Sequence, residues 1–244
     1  LLDRIWKKLI GWKEKKLLSA GRETLIKAVV QAIPTYAMQC FRLPQELLNR
    51  INSMCQNFFW GQRKEENKMA WVSWNKLCRV KTNGGVGLLD LQAFNTALLA
   101  KQGWRLVTNT ESLVSRMLKG KYYHRSNFWA ATVNSNASFT WRSIVGAKSL
   151  LEKGPRWAIG DGRSTLVWGD RWLPCNSSFK PILPCSILDS NAKVEELIDH
   201  DLGRWRESLI NQNFLPHEAA AILSMPIATF PGPDFLMWHY SKDG

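Results

Sequence analysis

The sequence contains no run of about 18 apolar residues, the length a helix needs to cross a bilayer, and so no candidate membrane span. It has no Cys-x-x-Cys pair. Its five cysteines, Cys40, Cys55, Cys78, Cys175 and Cys185, are odd in number and widely spaced, which excludes a disulfide framework and favours a reducing compartment. The four histidines, His124, His200, His217 and His239, stand far apart, and none lies at metal-ligand spacing from a cysteine. Acidic residues are scarce, 20 Asp+Glu against 33 Lys+Arg, and nowhere concentrated; a two-metal nuclease or polymerase centre needs clustered carboxylates. No Gly-x-Ser-x-Gly elbow presents Ser19 or Ser164 as a nucleophile. The chain begins with Leu1, and no charged-then-apolar leader follows. The expectation is an intracellular protein of nucleus or cytoplasm, not secreted, cut from a longer chain at both ends.

What is present begins with a core. The 244 residues are 45% hydrophobic and include 13 tryptophans, enough for one large domain or two ordinary ones. Charge is uneven. Residues 1–125 hold 22 Lys+Arg and 8 Asp+Glu, a net of +14, whereas residues 126–244 hold 11 and 12, a net of −1. A basic half joined to a neutral half points to one polyanion-binding face, with a merely solvated basic helix surface as the alternative.

Apolar spacing predicts a helix through Leu2, Ile5, Trp6 and Leu9 and a second through Leu25, Ile26, Val29, Val30 and Ile33, ended or kinked by Pro34. A third runs from Pro44, in its first turn, through Leu47, Leu48, Ile51, Met54, Cys55, Phe58 and Phe59 to a stop at Gly61. A charged loop, 62–68, and a short strand or turn at Trp71–Trp74 lead to further helices over about 90–107, 112–122 and 138–151. The period then changes: Trp157, Ile159, Leu166, Trp168 and Trp172 around Asp161-Gly162 read as a β-hairpin. Short helices at 194–200, 204–212 and 217–223 follow, then a strand over 235–240 and a turn at 242–244. The fold class is α+β, mainly α.

Three features invite a chemical reading. Asp161 and Asp170 are paired acids, but each sits in turn chemistry. Gly84-Gly85-Val86-Gly87 ahead of a helix could offer amides to a phosphate, but it lacks the spacing of a nucleotide-binding fingerprint or phosphate loop and better suits a tight turn that lets the next helix pack closely. The tryptophans, among them Trp60, Trp104, Trp141 and Trp168 on apolar faces, are core material, with base stacking open to any exposed ring.

The stretch Leu18-Ser19-Ala20-Gly21-Arg22-Glu23-Thr24-Leu25-Ile26-Lys27 resembles the reverse-transcriptase polyprotein of plant LINE-type (non-LTR) retrotransposons. So do Ala32-Ile33-Pro34-Thr35-Tyr36-Ala37-Met38, Phe41-Arg42-Leu43-Pro44, Phe58-Phe59-Trp60-Gly61 and Asn95-Thr96-Ala97-Leu98-Leu99-Ala100-Lys101-Gln102-Gly103-Trp104-Arg105. Trp157-Ala158-Ile159-Gly160-Asp161-Gly162, Trp168-Gly169-Asp170-Arg171-Trp172-Leu173-Pro174 and Asp234-Phe235-Leu236-Met237-Trp238 continue the match in order. The resemblance implies a helical thumb-like segment at 1–60 and a helical connector with a β-hairpin at 61–175. It further implies a linker with short helices at 176–233 and the start of a zinc-binding-like domain at 234–244. The Tyr-x-Asp-Asp polymerase site does not occur here, and the ribonuclease H domain would lie beyond Gly244, so the segment is expected to carry no activity of its own. No cofactor is expected within it, the parent polymerase using magnesium. The implied role is to grip template–primer, an RNA–DNA hybrid or other nucleic acid, through backbone phosphates beside the polymerase palm and away from any membrane; a structural remnant or protein-interaction module is the alternative. Lys13, Lys15, Lys16, Arg22 and Lys27 are the expected phosphate contacts, with Leu25, Ile26, Val29 and Val30 as their buried backing.

Overall fold

The computed structural model describes residues 1–13, 17–61, 69–175, 178–182, 188–227 and 232–240, the side chain of Lys13 excepted. Lys15, Lys16, Cys185, the loop 62–68 and the turn at 242–244 lie outside them. Helices dominate and the strands are few and short, so the chain is α+β and mainly α. It divides into two compact units, Leu1–Leu151 and Glu152–Gly244.

The described residues of the first unit form helices joined by turns and short extended segments, with no strand among them. Helices α1 (Leu2–Lys13), α2 (Ser19–Leu25), α3 (Thr35–Cys40), α4 (Gln45–Phe59) and α5 (Trp74–Leu77) precede a long α6 (Leu91–Thr108). Ile5, Leu9, Ile26, Val30, Met38, Leu48, Ile51, Cys55, Phe58 and Leu91 close one core between them. Helix α2 does not run straight to Pro34 as its spacing predicts. It widens into a π-turn over Ile26–Val30, in which the Gln31 amide reaches back to the Ile26 carbonyl at 2.9 Å, and Pro34 instead stands at the N-cap of α3. Where a short strand or turn was expected at Trp71–Trp74, Trp71–Ser73 form no strand, and the single helical turn of α5 begins at Trp74.

Helix α6 is the axis of the unit, touching α3, α4, α7 (Leu113–Tyr122), α8 (Phe139–Gly146) and α9 (Lys148–Leu151). Asp90 caps it, its carboxylate accepting from the Gln92 and Ala93 amides at 2.9 and 3.1 Å, and Ser112 and Ser138 cap α7 and α8 in the same way. Gly103 has no side chain because there is no room for one: a Cβ there would lie 2.6 Å from Leu151 and 3.0 Å from Phe128. Buried Asn95 ties the helix to the chain between α3 and α4. Its amide nitrogen donates to the Met38 and Phe41 carbonyls at 2.8 and 2.9 Å, and its oxygen accepts from the Leu43 amide at 2.8 Å. Ser143 of α8 takes the Arg42 amide at 2.9 Å.

The described residues of the second unit form two small antiparallel sheets, a 3-10 turn at Val194–Leu197 and two α-helices. The hairpin expected around Asp161-Gly162 is not formed. Strand β1 (Pro155–Ala158) pairs instead with β4 (Phe235–Trp238), Trp157 opposite Leu236, and β2 (Ile198–Asp199) pairs with β3 (Arg204–Trp205). Helices α10 (Glu207–Asn213) and α11 (Pro216–Ser224) pack on Val167, Trp172, Leu173, Val194, Leu197 and Trp205. One carboxylate closes the long-range pairing. Asp234, buried just before β4, accepts from the amides of Gly160, Gly162 and Ser164 at 2.8, 3.0 and 3.2 Å, and from the hydroxyls of Ser164 and Thr165 at 2.9 and 2.8 Å. Burial pushes this carboxyl up, but the hydrogen bonds outweigh it and hold Asp234 below the ordinary carboxylate range.

Two outcomes follow from these knots. Asn95→Ala strands three backbone groups and should cost about 2–4 kcal/mol in urea unfolding. Because the folded Asp234 carboxyl is the stronger acid, its contribution is complete above the unfolded value of about 3.9 and drains away as pH falls below it. The stability gap between wild type and Asp234→Asn, measured by thermal melts, should therefore be wide at pH 7 and shrink below about pH 4.

Candidate nucleic-acid interface

The division into units sharpens the charge asymmetry. Leu1–Leu151 holds 24 Lys+Arg and 8 Asp+Glu, a net of +16, against 9 and 12 in Glu152–Gly244, a net of −3. Cations with exposed side chains stand on α1 (Arg4, Lys7, Lys8), around and beyond α5 (Lys76, Arg79, Lys81) and on α7 (Arg116, Lys119, Lys121). Of these only Lys81 meets a carboxylate among the described residues, Glu23 at 3.4 Å.

Glu23 organises the part of this surface that sequence reasoning singles out. Lys27, one turn on, reaches it at 2.7 Å, and the hydrogen bond from Lys27, with Lys81 alongside, holds the Glu23 carboxyl below its ordinary value against slight burial. The Lys27 ammonium also donates to the Val86 carbonyl at 2.6 Å, and Gln31 donates to the Leu89 carbonyl at 3.2 Å. These two bonds lace the π-turn to the extended segment 86–89. Arg22 sits over the end of α4, its Nη1 3.2 Å from the Phe59 carbonyl, where a cation also complements the helix dipole. Gly61 makes this possible. Its φ of +66° ends the helix in the left-handed region, and a Cβ there would fall 2.4 Å from the Arg22 guanidinium.

Arg22 and Lys27 thus come together on α2 and its continuation, over buried Ile26 and Val30 and half-buried Leu25 and Val29, and each has a packing duty. Lys13 ends α1, with its side chain outside the described residues, as Lys15 and Lys16 are altogether. The glycine loop is a tight turn rather than a phosphate cradle. The amides of Gly84, Gly85, Val86 and Gly87 donate to the carbonyls of Lys81, Val80, Leu77 and Arg79 at 2.8–3.2 Å, leaving none to receive a phosphate. Sequence reasoning missed Lys81, whose approach to Glu23 depends on that turn, and Trp71, 78% exposed beside the same basic segment. The other rings are mostly core: Trp141, Trp172 and Trp205 are buried, and Trp60 and Trp168 half-buried.

No cluster of three or more His, Cys, Asp or Glu is placed to hold a metal ion among the described residues. Asp161 and Asp170 accept from the amides of Arg163 and Leu166 at 3.0 and 2.8 Å, the turn chemistry expected of them. No helix among the described residues is long and apolar enough to cross a membrane. What the surface offers chemically is ammonium and guanidinium groups over a rigid helical core.

Two curated relatives match. An Arabidopsis thaliana protein provisionally named a ribonuclease H protein is 34% identical over the whole of this chain, which spans 40% of that relative's length. An uncharacterized mitochondrial protein of the same plant is 40% identical over 62% of this chain and 99% of its own length. The chain belongs to the family of that mitochondrial protein. No protein-family model matches it. Within this family member, Glu23 neutralises two cations at once. Glu23→Gln should release both and tighten binding of a polyanion such as heparin about two- to fivefold at low salt, with the gain fading as salt rises; titration at two ionic strengths checks this.

Proposed function

We propose that the first unit is a nucleic-acid grip: a non-catalytic thumb and connector of a reverse transcriptase of the LINE type that holds an RNA–DNA hybrid by its backbone phosphates. The observation that carries this reading is the confinement of the positive charge, +16 in one compact unit and −3 in the other. The ordered motifs of the resemblance support the polymerase context, and the relative whose name refers to ribonuclease H supports a place in nucleic-acid chemistry. A helix laid along a duplex offers cations to phosphates at intervals and reads no sequence, so affinity comes with counterion release. An A-like hybrid is met through its shape and phosphates. Lys13, Lys15, Lys16, Arg22 and Lys27 remain the proposed contacts, joined by Arg4, Lys7 and Lys8 on α1.

A second reading, a protein-interaction module without nucleic-acid function, is favoured by one feature, the exposed Leu113, Val114 and Met117 on α7. A salt series separates the two. Binding to a hybrid should fall steeply and linearly in log–log form, with little sequence preference. Replacing Arg4, Lys7 and Lys8 by Gln, or Lys13, Lys15 and Lys16 by Gln, should flatten the slope by about 2–3. A slope unchanged in both triple variants would remove α1 from the grip, and no hybrid binding at low salt would sink the reading.

A further inference from the structure

Beside the basic helix α7 the first unit holds a half-open cleft of about 150 Å³. Its lining comes from the last turn of α6 and the turn beyond (Leu106, Val107, Thr110), from α7 (Ser115, Lys119), and from the segment after it, where Tyr123, Phe128 and Trp129 supply aromatic walls. Phe128 is seated by Gly103, whose missing Cβ leaves room for the ring. It meets Trp129 and Tyr123 edge-on, with centroids 5.8 and 6.3 Å apart. Ser115 is committed to the Asn109 carbonyl at 2.6 Å, and the Asn127 side-chain oxygen to the Ala130 amide at 2.9 Å. The Ser126 hydroxyl and the Asn127 amide hydrogens are left for a ligand edge. Lys119 is exposed at this cleft and meets no carboxylate among the described residues, and Arg116, Lys121 and Arg125 are exposed nearby in the chain.

We infer that this cleft takes one unpaired pyrimidine base of a nucleic-acid strand whose phosphate lies on Lys119. Three properties converge on that ligand. A space near 150 Å³ with apolar walls is the size that admits a single six-membered aromatic ring, which suits a pyrimidine and crowds a purine. Buried Phe128 and Tyr123, the latter stacked on Trp141 at 5.5 Å, back the cleft, and half-buried Trp129 supplies the ring surface against which a base can lie. A cation at the cleft, with others close by in the chain, supplies the phosphate contact that a nucleotide needs and a free apolar side chain does not. This rests on the nucleic-acid reading above and deepens it: the grip on duplex phosphates is indifferent to sequence, whereas this site is not. Open-surface stacking favours the larger purine ring, so a pyrimidine preference distinguishes the cleft from an exposed stacking platform.

The test uses the whole chain and three probes, U10, A10 and an RNA–DNA hybrid, compared by fluorescence anisotropy at one salt concentration. U10 should bind at least about fivefold tighter than A10. Ser126→Trp, which fills the cleft from its exposed side, should bring U10 down to the A10 level and leave hybrid binding unchanged. Lys119→Gln should weaken U10 several-fold. Independently of any variant, a U10 strand carrying 5-iodouridine should photo-crosslink to Trp129. Equal binding of U10 and A10 with the hybrid still held would overturn the pyrimidine site and leave the phosphate grip standing; crosslinks confined to other residues would do the same. Failure to bind any of the three probes would remove both.

Discussion

The buried amide of Asn95 fixes the path on which the first unit depends. A chain that leaves one helix and enters another at close quarters exposes backbone groups that water cannot reach, and each must find a partner. Between α3 and α4 the turn Phe41-Arg42-Leu43 is short, and although Phe41 and Arg42 are exposed, its backbone groups turn toward α6 and α8. Asn95 can donate twice and accept at the same time, so one side chain satisfies two carbonyls and an amide. Ser143 takes the remaining amide. The position of α4, and with it the core closed by Leu48, Ile51, Cys55 and Phe58, follows from this small polar knot set in an apolar helix face.

The same economy explains the charge. With 8 carboxylates for 24 cations, the first unit cannot neutralise itself, and among its described residues the ion pairing gathers on Glu23. The surplus sits on helices whose inward faces are apolar, so the core supports a surface that repels itself. Such an arrangement is relieved by a polyanion laid across it. Counting cations along the sequence overstates the site, however. Lys27 is shared between Glu23 and the Val86 carbonyl, and Arg22 closes the end of α4. An arginine has five donors and has committed one here, so Arg22 can serve helix and phosphate together; Lys27, with a point charge already divided, has less to give.

Local rules carried much of the fold. The apolar stripes of α1, α4 and α6 and the caps at Asp90, Ser112 and Ser138 are legible because helix periodicity and capping act within a few residues. The misses share a cause, which is action at a distance. Ile26–Val30 reads as ordinary helix until the extended segment 86–89 is there to hold Lys27 and Gln31. Trp157 and Trp168 alternate like a hairpin, yet β1 takes its partner from Phe235–Trp238, far along the chain, because Asp234 draws the amides of the Gly160–Ser164 turn to itself. The glycines of 84–87, by contrast, favour a tight turn on local chemistry alone, and their amides, all spent on nearby carbonyls, bear that out.

The tryptophans show where the same limit falls on function. Composition assigns them to the core, and Trp141 and Trp172 belong there without exposure. A wall residue such as Trp129 cannot be told from a core residue by its neighbours in sequence, since both lie in apolar company. The difference is made by Gly103 on another helix, which admits Phe128 and so sets the floor of the cleft. In the proposed grip, specific recognition depends on helix packing, whereas general attraction to a polyanion depends on composition. The first requires the fold to be known, and the second is already written in the imbalance of lysine and arginine over aspartate and glutamate.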